Sequence, residues 1–322
     1  MAPTRSVIVT GGTLNLGYYA ALEIAREHPD YLVVISSRSD RERSAEKINR
    51  TLGQKNVVFT PLDLSDLDSV RNYAKDWATK DYPPIQALVC NAALQFPGAL
   101  TTTPSGVEAT FAISNVGHAL LFHLLCPYLA PKARITVVSS GTHDPAQKTG
   151  LPDAVYNTAE ELAHPPPSMI NINGRQRYAS SKLANVLWTY ALDRKLKQRV
   201  PERGICVNAF DPGLMPGTGL AREASWVGRF LWLHVLPRVI PLLRLLVLHN
   251  VWRPEDSGKA LAHIAVGTEL EGVSGKYFEH LKEIKSSTDS YNESKQEDLW
   301  DWLVKYTSNG DPVEMARFNE FK

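Results

Sequence analysis

The sequence is short of the signals that mark secreted, metal-binding or nucleic-acid-binding proteins. It has three cysteines, Cys90, Cys126 and Cys206, each in an apolar run and none in a CxxC pair. Disulfide frameworks and zinc sites need paired or closely spaced thiols, so buried free thiols, a reducing compartment and no metal site are expected. An excess of either charge is also missing: 35 Lys and Arg face 34 Asp and Glu, a net charge of +1. No global field draws the chain to a polyanion, which excludes nucleic acid as the expected partner.

A long uninterrupted apolar run is absent as well. The most hydrophobic stretch, 226–252, carries Arg229, His234, Arg238, Arg244 and His249 with Pro237 and Pro241. A span needs roughly 20 largely uninterrupted apolar residues, so this is a poor transmembrane helix. The N-terminal MAPTRSVIVTGG becomes strand-like almost at once, without the charged, apolar and cleavage regions of a signal peptide. A cytoplasmic location is expected, with a peripheral contact to an internal membrane through 226–252 as an alternative. Apolar residues mixed with Arg and His, and no acid, are what an interfacial helix displays.

What is present is an alternation of short β-branched runs and helical patterns over the first two-thirds of 322 residues. Strands are expected at 6–10, 32–36, 57–62, 86–90, 135–139, 205–210 and near 275–278. Runs such as VIV, LVVI and ITVV suit strands covered on both faces. The fold class is therefore α/β, a Rossmann-type doubly wound parallel β-sheet of about seven strands, flanked by helices. Residues 1–285 are expected to form one domain, with insertions at about 141–177 and 214–253; long insertions in compact domains often serve as lids or binding loops. The tail 286–322, with Leu299, Trp300, Trp302, Leu303 and Tyr306, reads as a helix packing on the same domain.

The first strand runs into Gly11-Gly12-Thr13-Leu14-Asn15-Leu16-Gly17 and then a helix. Glycines at such a turn let backbone approach a pyrophosphate, whose charge then sits at the helix N-terminus. About 20 residues on, where an acid would bind the ribose of NAD, the chain reads Ser36-Ser37-Arg38. A hydroxyl and a guanidinium suit a 2′-phosphate, so NADP(H) is the expected cofactor.

Three further features then follow in order: Asp63-Leu64 after the third strand, Asn91-Ala92-Ala93 after the fourth, and Tyr178-Ala179-Ser180-Ser181-Lys182 after Ser139-Ser140. From about residue 5 to 280 the chain resembles the short-chain dehydrogenase/reductase family. By that resemblance Asn115, Ser140, Tyr178 and Lys182 match the catalytic tetrad, with Asn115 breaking its helix and holding a water beside Lys182. The resemblance also implies that Asp63 and Leu64 meet the adenosine, that Asn91 and Ala92 lie beside the ribose, and that Pro212, Gly213 and Thr218 hold the nicotinamide. Gly11, Thr13, Asn15, Leu16 and Gly17 form the phosphate turn, and Tyr178 and Lys182 touch the cofactor as well. Three positions depart from the pattern: Asn15 and Ala93 replace glycines, and Gly217 stands where threonine is common. Asn is the residue other than glycine that best tolerates a left-handed backbone, so the turn should survive.

The residue types fit the chemistry. Hydride addition to a ketone builds charge on oxygen and needs a proton donor matched to the operating pH. A free tyrosine, with a pKa of about 10, is too weak an acid. Lys182 shares its helix face one turn on, and its charge favours tyrosinate. Ser140 can donate to the developing oxyanion. Singly, each residue has an ordinary structural explanation; in this order they point to an enzyme.

Around Pro212-Gly213, and at Glu255 to Lys259 and Gly275 to Phe278, the chain is similar to light-dependent protochlorophyllide reductases, and its fourth helix to retinol dehydrogenase-like members. The expected activity is NADPH-dependent reduction of a carbonyl on a bulky hydrophobic small molecule, such as a polyketide, terpenoid, sterol or polycyclic enone. Alternatives are reduction of a conjugated C=C bond, or a cofactor-binding regulator without chemistry. The family often pairs helices four and five between subunits, so the resemblance also allows a homo-oligomer.

Overall fold

A computed structural model describes residues 2–218, 226–246 and 249–322. Residues 219–223 of the loop likened to protochlorophyllide reductases, and the Arg229 side chain, lie outside the described residues. The chain alternates β1 (Arg5–Thr10), α1 (Asn15–Glu27), β2 (Tyr31–Ser37), α2 (Ser44–Leu52), β3 (Val57–Pro61), α3 (Leu67–Thr79) and β4 (Ile85–Cys90). Helix α4 (Ala109–Phe111) runs through a π turn at Ala112–Val116 into α5 (Gly117–Leu125). Then come β5 (Leu129–Val138), α6 (Ala159–Ala163), α7 (Gly174–Arg199), β6 (Cys206–Asp211), α8 (Trp226–Phe230), α9 (Ile240–Leu246) and α10 (Pro254–Val266). The chain ends with β7 (Lys276–Glu279), β8 (Lys282–Ile284), α11 (Glu293–Thr307) and α12 (Pro312–Asn319).

The sheet order is β3-β2-β1-β4-β5-β6-β7-β8, all parallel except the β7–β8 pair. The α/β doubly wound class expected from sequence is what the structure has, with one strand more than expected. Strand β8 is three residues, Lys-Glu-Ile, paired antiparallel at the edge; it has no apolar run to announce it. Strand β5 starts at Leu129 rather than at residue 135, because Pro131 and the left-handed Lys132 interrupt the pattern of its first half.

Alternation sets the two faces of β1. Val7 and Val9 join Ile24, Ile35, Leu261 and Ile264 under α1 and α10. Ile8 points the other way, into a larger cluster with Leu121, Phe122, Leu187, Trp188 and Trp300. Leu299, Trp300, Leu303 and Val304 of α11 are buried in that same cluster, whereas Trp302 and Tyr306 stack on each other at its edge. Among the described residues one helix, Ala109–Tyr128, is long and apolar enough to cross a membrane, yet it is almost wholly buried among these core residues. The three cysteines are buried and free.

Strand order reverses between β1 and β4, leaving a crevice outside the carboxyl ends of the strands. Open α/β sheets bind ligands at this point. Thr10, Cys90, Val138 and Asp211 end the four strands that surround it.

Candidate active site

At its glycines the phosphate turn has no room for a side chain. A Cβ on Gly17 would sit 2.4 Å from the Gly11 carbonyl oxygen, and one on Gly11 2.9 Å from Asn91 Nδ2. Asn15 takes a left-handed φ of 48°, as its residue type permits. The N-terminus of α1 has no side-chain cap and no acid in its first turn, so its free N–H groups suit an anion. A pyrophosphate therefore fits the cradle these residues make.

Beside it, Thr13 Oγ1 lies 3.1 Å from Ser37 Oγ, which donates to the Ser39 carbonyl at 2.7 Å. Asp40 is occupied in capping α2, accepting from the N–H groups of Ser44 and Ala45, and Arg43 pairs with Glu46. Arg38 is exposed and has no carboxylate partner among the described residues. Asp63 Oδ1 accepts from the N–H and hydroxyl of Ser65, while the Leu64 carbonyl packs on Gly117, where a Cβ would come within 2.3 Å.

Asn91 braces the crevice. Its Nδ2 donates to the Thr10 carbonyl at 2.7 Å, and the N–H groups of Asn91 and Ala92 donate to Thr10 Oγ1. The Thr10 hydroxyl is 2.8 Å from Nε2 of buried His118, whose Nδ1 faces the Ser114 carbonyl. Burial, with the nearby Lys182 charge, pushes the His118 pKa down to about 4. The ring is therefore neutral, donating from Nδ1 and accepting at Nε2.

Helix α7 carries Tyr178 and Lys182 on one face, with Lys182 Nζ 5.5 Å from the Tyr178 ring centre. Nζ donates to the Val138 carbonyl at 2.9 Å, and Asn185 Nδ2 donates to the same oxygen at 3.0 Å. Asn185 Oδ1 in turn accepts from Asn115 Nδ2 at 2.6 Å. Asn115 lies in the π turn through which α4 runs on into α5, so the helix is widened there and not broken. Its buried Oδ1 has no protein partner among the described residues, which leaves an acceptor open for a water.

Ser140 follows the end of β5 beside the Tyr178 hydroxyl, whose pKa it lowers. Burial and the Asp211 carboxylate outweigh this and hold the Tyr178 pKa above the ordinary tyrosine value. Lys182 is pulled down to about 8 by burial, against the opposing pull of Asp211. The free site thus keeps Tyr178 protonated.

Three residues of this cluster have no role in the sequence reading. Asp211, fully buried at the end of β6, accepts from Gly213 N–H at 2.9 Å and from Asn250 Nδ2 at 3.0 Å. Burial raises its pKa to about 6. Asn185, one turn after Lys182 and on the same buried face, was a legible signal. His143 bridges the Ser140 carbonyl, 2.8 Å from Nδ1, and the Ser287 N–H, 3.0 Å from Nε2. Next to Tyr178 in the chain, Arg177 forms a buried pair with Glu108 and also donates to the carbonyls of Gly98 and Ile172.

Gly213 is left-handed, with φ +77°. The Thr218 hydroxyl is spent on the Met215 carbonyl, and its own carbonyl accepts from Trp232 Nε1 at 2.9 Å. No cluster suited to a metal ion occurs among the described residues.

A sheet whose crevice gathers a glycine turn, a Ser–Tyr–Lys cluster and an uncapped helix defines a nicotinamide-dependent oxidoreductase. Comparison with known proteins agrees. The short chain dehydrogenase family model matches residues 5–158. Polyprenol dehydrogenase of Homo sapiens is 30% identical over 304 residues, covering 92% of this chain and 83% of its own. Retinol dehydrogenase 13 of Homo sapiens is 30% identical over 301 residues, with the same coverage. Two solved structures share the fold: a Mycobacterium paratuberculosis protein (TM-score 0.67, 23% identity, 95% and 96% of the two chains) and the Pseudomonas aeruginosa RhlG/NADP complex (0.60, 22%, 86% and 94%). The chain belongs to the short-chain dehydrogenase/reductase family, on its retinol dehydrogenase-like branch.

Proposed function

We propose that this protein is an NADP(H)-dependent reductase acting on the carbonyl of a bulky apolar molecule, with Tyr178 as the proton donor. The observation that carries the reading is the meeting of Ser140, Tyr178 and Lys182 at the crevice beside the glycine turn. Exposed Arg38 next to Ser37 supports a 2′-phosphate, and the relatives named for polyprenol and retinol support an apolar substrate.

A bound reduced nicotinamide supplies the hydride. The chain's own residues do the rest. Ser140 donates to the substrate oxygen and fixes it near the Tyr178 hydroxyl. As charge builds on that oxygen, Tyr178 gives up its proton to it. Lys182, held by the Val138 carbonyl, presents a cation next to the tyrosinate left behind, and the Asn115–Asn185 pair keeps the ammonium in position. Asp211 raises the Tyr178 pKa before reaction and so favours its acid form, the form a reductase needs.

Tyr178→Phe tests the reading. NADPH binding, followed by fluorescence, should persist while turnover of apolar ketones is lost. Retained turnover would sink the assignment. Product analysis with deuterated NADPH separates carbonyl from alkene reduction.

A further inference from the structure

The insertion between β6 and α10 buries Met215, Ile240 and Val251 but exposes several other large apolar side chains. Of the thirteen large hydrophobic residues exposed among the described residues, six lie between 226 and 242. Trp226 is 81% exposed, Phe230 55% and Leu242 53%, with Leu231, Leu233 and Val235 beside them. A monomer seldom leaves so many together in water.

The charge of the same stretch is one-sided. Residues 226–253 contain Arg229, Arg238, Arg244 and Arg253 and no Asp or Glu, in a chain whose total net charge is only +1. Arg238, Arg244 and Arg253 have no carboxylate partner among the described residues. Arg238 donates to the His234 carbonyl, and Arg244 lies over the Trp252 ring at 3.9 Å and donates to the Val251 carbonyl. Exposed bulky apolar groups, tryptophan and arginine in one stretch, with no acid, match the interface of a bilayer that carries anionic lipid. A second copy of the chain fits less well, because a self-complementary contact would set these arginines against their equivalents with no carboxylate in the patch to meet them.

The patch is also tied to the crevice. Trp232 holds the Thr218 carbonyl, and Leu214 pairs with Val251, Leu214 N–H donating to the Asn250 carbonyl at 2.8 Å and Trp252 N–H to the Leu214 carbonyl at 2.9 Å.

We propose that the exposed face of residues 226–246 docks on an anionic lipid surface, which sets the mouth of the crevice at the bilayer so that an apolar substrate passes in from the lipid. The route of the substrate rests on the function proposed above; the docking does not.

The test is flotation of the full chain, without cofactor or substrate, with vesicles of phosphatidylcholine alone or mixed with phosphatidylserine. The protein should float with the mixed vesicles and less with phosphatidylcholine alone, and high salt should weaken binding by screening. The double variant Leu231→Asp with Leu233→Asp should remain soluble and lose flotation, while Leu281→Asp, exposed elsewhere, should float as the parent does. Each arginine near an anionic surface contributes about fivefold to partitioning, so Arg238→Glu with Arg253→Glu should weaken it roughly 25-fold or more. A parent protein that stays unbound with both vesicles overturns the proposal. So does a dimer in sedimentation velocity that the Leu231 and Leu233 changes dissociate, which would assign the patch to a second copy. Flotation without ketone reduction leaves the docking standing and counts only against the proposed function.

Discussion

Asp211 and Lys182 act on one another inside the same buried site: the carboxylate holds the lysine's pKa up while burial pulls it down to about 8. The carboxylate carries its own cost. Burial lifts Asp211 from 3.8 to about 6, so the folded protein holds this proton more tightly than the unfolded chain does.

The sign follows from linkage. A carboxyl with a folded pKa above its unfolded value adds stability at pH below the unfolded value and loses it as pH rises through the folded one. Between pH 4 and 8 this group should cost the native protein ~3 kcal/mol. Asp211→Asn removes that slope. Urea unfolding at several pH values should show the variant gaining on the parent as pH rises, and parallel curves would contradict the buried-carboxylate account. The variant should also lower the Tyr178 pKa, moving the alkaline rise of alcohol oxidation to lower pH.

His123 has the opposite sign. It is buried against Phe318, ring centres 4.6 Å apart, and neither ring nitrogen has a hydrogen-bond partner among the described residues. Burial, aided by the Arg317 charge, lowers its pKa to about 3. Its stabilising neutral form is fully present above the unfolded pKa of 6.5 and that contribution falls away as pH drops towards 3. His123→Phe should stabilise the protein by about 1–3 kcal/mol at neutral pH by removing unpaired polar atoms, and by more at pH 5. Thermal melts at the two pH values measure it.

Arg38→Glu should weaken NADPH binding by about 10–100-fold, the worth of charge-assisted phosphate contacts, and leave NADH binding nearly unchanged. Fluorescence titration with each nucleotide reads the ratio; an equal loss for both would remove Arg38 from cofactor selection.

Asn185→Ala breaks its bonds to Asn115 and Val138. The expected cost is about 1–3 kcal/mol of stability, from polar atoms left unpaired in the core. It should also lower kcat while leaving KM for the cofactor close to the parent value. Asn185→Asp should restore the acceptor for Asn115 and hence part of the activity; a KM effect alone would point to a merely structural role.

The sheet was legible because buried parallel strands are written as continuous apolar runs, each flanked by helical patterns. The Tyr178–Lys182 spacing and the glycine turn were legible for a similar reason: their geometry is local. Asp211 was not, because an acid before Pro212 reads in one dimension as a turn residue, and only the fold turns it inward. His143 was hidden in another way, since its partner Ser287 lies 144 residues further along the chain. Strand β8 exists by edge pairing alone, and residues Lys282 to Ile284 have no pattern to betray it.

The bridge between Leu214 and Val251 brings the two ends of a long insertion together across a single rung. A loop whose ends meet on the scaffold can lengthen, shorten or exchange its contents at little entropic cost. Selection can therefore rewrite the part facing the outside world while the strands beneath keep their register. The chemistry and the choice of what undergoes it are thus separately heritable.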